Sequence, residues 1–123
     1  MGKINKEKIW MDDVEDHDYD AAADYLSLHF HAAKVKHIVE ELRKAPIIVK
    51  KAKDILRASQ LPLLGKDNVH VKSNLKKFKK GKLLSPILLV RNGDRLIVAD
   101  GYHRTCSVYC LLSEDWEISC KIV

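Results

Sequence analysis

Apolar positions along the chain follow a helical period in the first half and a strand period in the last third. From Ala33 to Lys44 they recur at Val35, Ile38, Val39 and Leu42, the i, i+3, i+4, i+7 spacing of a helix with one buried face. Asp20 is placed to cap a helix just before it, over Ala21 to Phe30, and the acidic, aperiodic stretch leading to Asp20 reads as an arm. Pro46 suits the first turn of a third helix, with Ile48, Val49, Ala52, Ile55 and Leu56 inward and Lys50, Lys51, Lys53 and Arg57 outward. Leu61-Pro62-Leu63-Leu64-Gly65 ends it. Residues 67–72 alternate weakly, as a short edge strand does, and Ser73 is placed to cap a short helix ending at Gly81. Pro86 to Val90 and Leu96 to Ala99 are continuous apolar runs around the turn signal Asn92-Gly93-Asp94, which predicts a hairpin of two strands buried on both faces. A helix from Tyr102 to about Leu112, with Thr105, Val108, Tyr109 and Leu112 inward, and a strand from Trp116 to Val123 complete an α+β pattern without repeats or linkers.

At 123 residues the chain is one domain, long enough to bury a core without a disulfide or a structural metal. No segment approaches the roughly 20 apolar residues of a membrane span, and Met1-Gly2-Lys3-Ile4-Asn5-Lys6 lacks the apolar centre of a signal peptide, so a cytoplasmic location without membrane partners is expected. The net charge of +5 is unevenly spread. Residues 1–33 carry three lysines against eight acids, residues 34–84 fifteen basic residues against four acids, and the remainder four against five. The basic middle can attract a polyanion, and the acidic arm can fold over it, regulate it or mediate pairing of chains. Cys106, Cys110 and Cys120 are an odd number and read as reduced thiols packed like small hydrophobes. Cys106, Cys110 and His103 share one helical face, but no C-x-x-C pair accompanies them, so no metal site is expected.

Asp100-Gly101-Tyr102-His103-Arg104 joins a buried strand to the start of a helix. Helix starts carry unpaired N–H groups and the positive end of the macrodipole, and a guanidinium and an imidazole in the first turn add charge-assisted donors. A phosphate can sit there; equally, Asp100 can cap the helix while Gly101 makes the turn. The motif match needs its structural context.

The order of elements and these residues together resemble the ParB/sulfiredoxin fold, in particular the amino-terminal nucleotide-binding module of ParB partition proteins and its stand-alone relatives. The resemblance covers roughly residues 67–123. It is carried by the polar helix Leu75 to Gly81, the strand Ser85-Pro86-Ile87-Leu88-Leu89-Val90, the hairpin at Asn92-Gly93, the run Ile97 to Cys106 with its Gly-x-x-Arg helix start, and the closing strand from Trp116 to Val123. It implies a small mixed sheet with flanking helices, here with an added amino-terminal helical segment over residues 1–66. It also implies a nucleotide, ATP or CTP with Mg2+, held by its phosphates at Gly101, Tyr102, His103, Arg104 and Thr105. Tyr102 stands where sulfiredoxins have their catalytic cysteine and where ParB proteins have a glutamate, which argues against peroxiredoxin repair. The helix-turn-helix that follows in partition proteins is expected to be missing, since the sequence stops at Val123. Lys51 to Ser59 resembles the leading part of small uncharacterised stand-alone bacterial proteins.

Whether a reaction follows binding stays open at this level. Phosphoryl transfer needs a phosphate cradle, a metal held by carboxylates and a base, for which Asp100 and His103 are the nearest residues. Glu114, Asp115 and Glu117 lie beyond the helix's far end, about 15 Å from the motif at 1.5 Å per residue, too far to share its phosphate as a nuclease would require. Lys76, Lys77, Lys79, Lys80 and Lys82 are either a solvated helix face or a contact for a polyanion, which makes non-catalytic nucleic-acid binding the alternative. His29, His31 and His37 have no helical partner for a metal pair. A homodimer is one further expectation, through an exposed strand edge at Val69 and Val71.

Overall fold

The computed structural model describes residues 9–123; the expected absence of a signal peptide and the first part of the acidic arm lie outside the described residues. The chain is a mixed α+β protein. Helices α1 (Asp16–Leu26) and α2 (Ala32–Lys44) precede strand β1 (Ile48–Lys51), helix α3 (Ala52–Ser59) and helix α4 (Val69–Lys79). Strands β2 (Ile87–Asn92) and β3 (Arg95–Asp100), helix α5 (Tyr102–Leu111) and strand β4 (Glu117–Ile122) follow. The four strands form one sheet in the order β1-β4-β2-β3, antiparallel except for the β2–β4 pair.

Side-chain alternation on the central strands places the core. Ile87 and Leu89 of β2, Val98 of β3 and Ile118 and Cys120 of β4 face α3 and α5, where they pack with Ala52, Ile55 and Val108. The intervening residues Leu88, Val90, Ile97 and Ala99 face α1 and α2 and pack with Tyr19, Ala22, Leu26, Val35, Ile38 and Leu42. A strand with period 2 that is apolar on both faces reads as an unbroken apolar run, so the expected hairpin is found with its ends moved by one or two residues. Gly93 makes the turn at φ +66°. Lys121 is on the polar side of this alternation only in name: it is buried, and its ammonium donates to the Tyr19 hydroxyl and to the Arg43 carbonyl at the end of α2, both at 3.0 Å.

Three expected elements differ. Helix α1 begins at Asp16, not Ala21, because Asp16 and Asp18 favour the positive end of a helix and Tyr19, Ala22 and Leu26 extend its buried stripe; Asp20, the expected cap, is exposed within the helix. The third helix does not start at Pro46. Ile48–Lys51 pairs antiparallel with β4, Ile48 opposite Cys120 and Lys51 opposite Glu117, and the β-branched Ile48 and Val49 suit this edge strand better than a helix. Residues before 67 therefore supply a strand of the sheet as well as covering helices. Residues 67–72 are not a strand either: the Asn68 side chain accepts the His70 and Val71 amides at 2.9 and 3.2 Å and so caps α4, in place of the expected cap Ser73. Val71, Leu75 and Phe78 are then the i, i+4, i+7 face of a helix, with Val71 fully buried, and the strand edge expected to support a dimer is absent. Asn68→Ala removes this cap and is expected to lower stability by about 1 kcal/mol, read from the denaturation midpoint at unchanged m-value.

Candidate functional site

A cleft of about 270 Å3 opens between α4 and the start of α5. Its α4 wall is the face carrying His70, Ser73, Asn74 and Lys77, one helical row, while Val71, Leu75 and Phe78 point into the protein. The opposite wall is Asp100 to Arg104, and Glu15 with residues 83–85 closes one side. Glu15 is held there because its amide donates to the buried Ser85 hydroxyl at 3.0 Å, next to the backbone ladder that Ile9 and Met11 form with Leu84.

The expected motif lines the cleft, but its residues divide their roles. Gly101 precedes α5 at φ +111°, and the first intrahelical bond runs from the Thr105 amide to the Gly101 carbonyl at 3.0 Å, so the amides of Tyr102, His103 and Arg104 stand ahead of the helical ladder. The Thr105 hydroxyl bonds the same carbonyl, and the residue is buried outside the cleft. The Tyr102 hydroxyl donates to the Pro62 carbonyl, which ties α5 to the loop after α3. The cap position of α5 is Gly101, not Asp100, and the Asp100 side chain accepts from the Arg104 Nη2 at 2.6 Å. Arg104 Nη1 reaches Asp18 of α1 at 3.2 Å, and the Arg104, Asp18 and Asp100 side chains are 16%, 6% and 19% exposed. The guanidinium is thus clamped by two largely buried carboxylates, and its Nε is buried with no partner among the described residues. Burial raises the Asp100 carboxyl above the ordinary carboxylate range; Arg104 pulls it back and Asp18 pushes it up.

His103 lies against His70, ring centroids 4.5 Å apart, with the Tyr102 ring 5.5 Å away on its own helix. Burial first, and then His70, lowers the His103 imidazole below its ordinary value. Lys77 reaches the cleft and has no ion-pair partner among the described residues, whereas Lys76 and Lys79 of α4 and Lys80 just after it are exposed away from the cleft lining. Glu15, Asp18, His70, Ser73, Asn74 and Ser85 are not conspicuous in the sequence as site residues. The Asn68-x-His70 cap pattern would have turned His70, Ser73 and Lys77 onto one helical face, and Asp18 stands one turn ahead of Ala22 and Leu26, continuing a buried stripe with a carboxylate.

The remaining candidates are placed elsewhere. Asp115 pairs with Lys53 at 2.8 Å beyond the far end of α5. Cys106 accepts the Leu64 amide and Cys110 donates to the Leu64 carbonyl, both at 3.4 Å, while Cys120 is buried in the sheet core, where burial pushes its thiol up to about 11. His29, His31 and His37 are exposed. No group of three or more His, Cys, Asp or Glu side chains suited to a metal ion occurs among the described residues, and no helix among them is long and apolar enough to cross a membrane. Comparison with protein-family models, with curated proteins and with solved structures found no match.

Proposed function

We propose that the chain is a cytoplasmic nucleotide-phosphate-binding domain of ParB/sulfiredoxin type, with the phosphates of a nucleotide such as ATP or CTP, alone or with Mg2+, seated at the start of α5. The observation that carries this reading is the convergence of two segments that are separate in sequence. The Lys77 face of α4 and Tyr102, His103 and Arg104, whose amides precede the helical ladder of α5, line one cleft. A helix start supplies oriented donors and a partial positive charge, and Lys77, without an ion-pair partner among the described residues, adds a full charge facing it. Ser73 and Asn74 offer neutral donors beside them. The free thiols suit a reducing compartment. Arg104 contributes through the field of the cleft and through its clamp, since both Nη atoms already have carboxylate partners.

Thermal stability against CTP, ATP, ADP and GTP with magnesium tests the proposal. A nucleotide at 100 times its Kd is expected to add about 2.7 kcal/mol. Lys77→Ala, which removes an exposed side chain from the cleft wall, is expected to keep the fold and lose the shift. No shift with any of the four, or an equal shift in the variant, overturns the proposal. Nucleic-acid binding is the second reading, favoured by the other exposed lysines of α4 and its end, Lys72, Lys76, Lys79 and Lys80. Substitution of those four, and not of Lys77, then lowers affinity and flattens its salt dependence.

A further inference from the structure

Two helices begin at this cleft, and each places an imidazole at the second position of its first turn, His70 after the cap Asn68 and His103 after the cap Gly101. The rings are 4.5 Å apart and tilted by 45°, and both line the cavity. Two imidazolium ions at this separation repel each other, and each also faces the positive end of its own helix. An anion between them reverses both terms.

We propose that His70, together with His103, is an anion-contacting residue of the cleft, and that the pair takes up a proton as the anion enters, so that binding tightens as pH falls. This rests on the reading of the cleft as a phosphate site. The direction in which burial and His70 move His103 agrees with a proton that is taken up only when an anion offsets both effects. The other charged or titratable groups facing the pair are Lys77 from α4, Tyr102 and Arg104 from α5, Asp100 from β3 and Glu15 from the segment before α1. Asp18 stands behind Arg104, and the exposed His17 lies 3.3 Å from Asp18. Lysine, arginine and tyrosine ordinarily keep one charge state between pH 5.5 and 8. Asp100, raised by burial, and His17 are the groups whose protonation has to be told apart from that of the pair.

Sulfate keeps its charge over this interval and separates the protein's protons from the ligand's. Binding of sulfate is measured by calorimetry at pH 6 and pH 8 in buffers of different ionisation enthalpy, and the imidazole resonances are followed by NMR. The expected result is about tenfold weaker binding at pH 8 than at pH 6, the effect of one pKa displaced by about one unit. Proton uptake accompanies binding, the His103 titration moves to higher pH with sulfate, the His70 ring signals respond with it, and those of His17 stay in place. His70→Asn with His103→Asn, neither of them a core position, is expected to remove most of the pH dependence, whereas Lys77→Ala weakens binding at both pH values. Sulfate binding that needs Lys77 but leaves both histidines' signals and the proton count unchanged overturns this inference and leaves the phosphate site standing. A pH dependence that persists when both His70→Asn and His103→Asn are present overturns it in the same way, because the proton then belongs to a group outside the pair, Asp100 first. Failure of sulfate and nucleotides to bind at either pH overturns both.

Discussion

Gly101→Ala is expected to lower stability by about 2–5 kcal/mol with or without a nucleotide. A side chain at φ +111° costs about 1–2 kcal/mol, and overpacking a dense core about 1–3 kcal/mol more. A Cβ at this position would lie 2.2 Å from Cγ2 and 2.6 Å from Cβ of Ile87, at the buried start of β2, where a flexible side-chain end is not what has to move. Chemical denaturation should show a lower midpoint at unchanged m-value, and thermal melting a fall of about 10 °C or more. The double variant with Ile87→Ala should recover only part of the loss, because the Ile87 Cβ and the backbone conformation remain. A variant within 0.5 kcal/mol of the parent would mean that β2 yields easily and that the close approach is not required. The glycine of the motif thereby has a packing reason of its own. It lets α5 start directly against the sheet, so impaired nucleotide binding in Gly101→Ala reports on the fold before it reports on a cradle.

The parts of the fold legible in the sequence are those where one physical effect dominates. Strands β2 and β3 are buried on both faces, so their apolar runs need no periodicity argument, and the Asn92-Gly93 turn fixes their pairing. Elements at the surface of the sheet were less legible because two effects compete there. In β1 a proline that would start a helix is followed by β-branched residues that an edge strand accepts, and the vacancy beside β4 decides between them. In α4 the alternation of Val69 and Val71 imitates a strand over a few residues, while the cap at Asn68 and the Val71, Leu75, Phe78 row act over a longer span. In α1 acidic residues look like a solvated arm until the helix dipole and the buried Tyr19 are counted.

The same competition decides which site residues the sequence reveals. Gly101 to Arg104 are visible because the strand, turn and helix start are contiguous. His70 and Ser73 are invisible as a cleft wall as long as residues 67–72 look like a strand. Glu15 and Asp18 fall in what looks like an arm, so that one edges the cleft and the other grips Arg104 becomes legible only once α1 is extended back to Asp16. A motif carries its own local geometry, but its partners depend on where distant elements begin.

Arg104→Met is the variant expected to separate structure from binding. In the sequence alone this residue looks like a solvent-facing phosphate ligand whose removal leaves stability intact. In the fold its two Nη atoms hold Asp18 of α1 and Asp100 of β3 together, and truncation leaves two carboxylates mostly out of water with only the exposed His17 imidazole, 3.3 Å from Asp18, beside them. Breaking a buried pair in this way costs about 3–5 kcal/mol, and partial exposure brings the expected loss to about 2–4 kcal/mol at pH 7. The loss should depend on pH in one direction. Asp100 already titrates above the ordinary carboxylate range in the folded protein, so over that interval the fold holds a proton the unfolded chain has released, and stability falls as pH rises through it. Without Arg104, whose charge pulls the value down, the interval widens upward. The variant should therefore differ least from the parent in mild acid, where Asp100 is protonated, and most at neutral pH. Adding Asp100→Asn removes one of the stranded charges and should restore a large part of the stability at pH 7. If nucleotide affinity returns with it, the role of Arg104 in the cleft is to hold α1 and β3 in place; if stability returns and affinity does not, the guanidinium itself faces the phosphate. Unchanged stability of Arg104→Met between pH 5 and 8 would mean that the two carboxylates reach water without it, and the clamp would not be what joins α1 to the sheet.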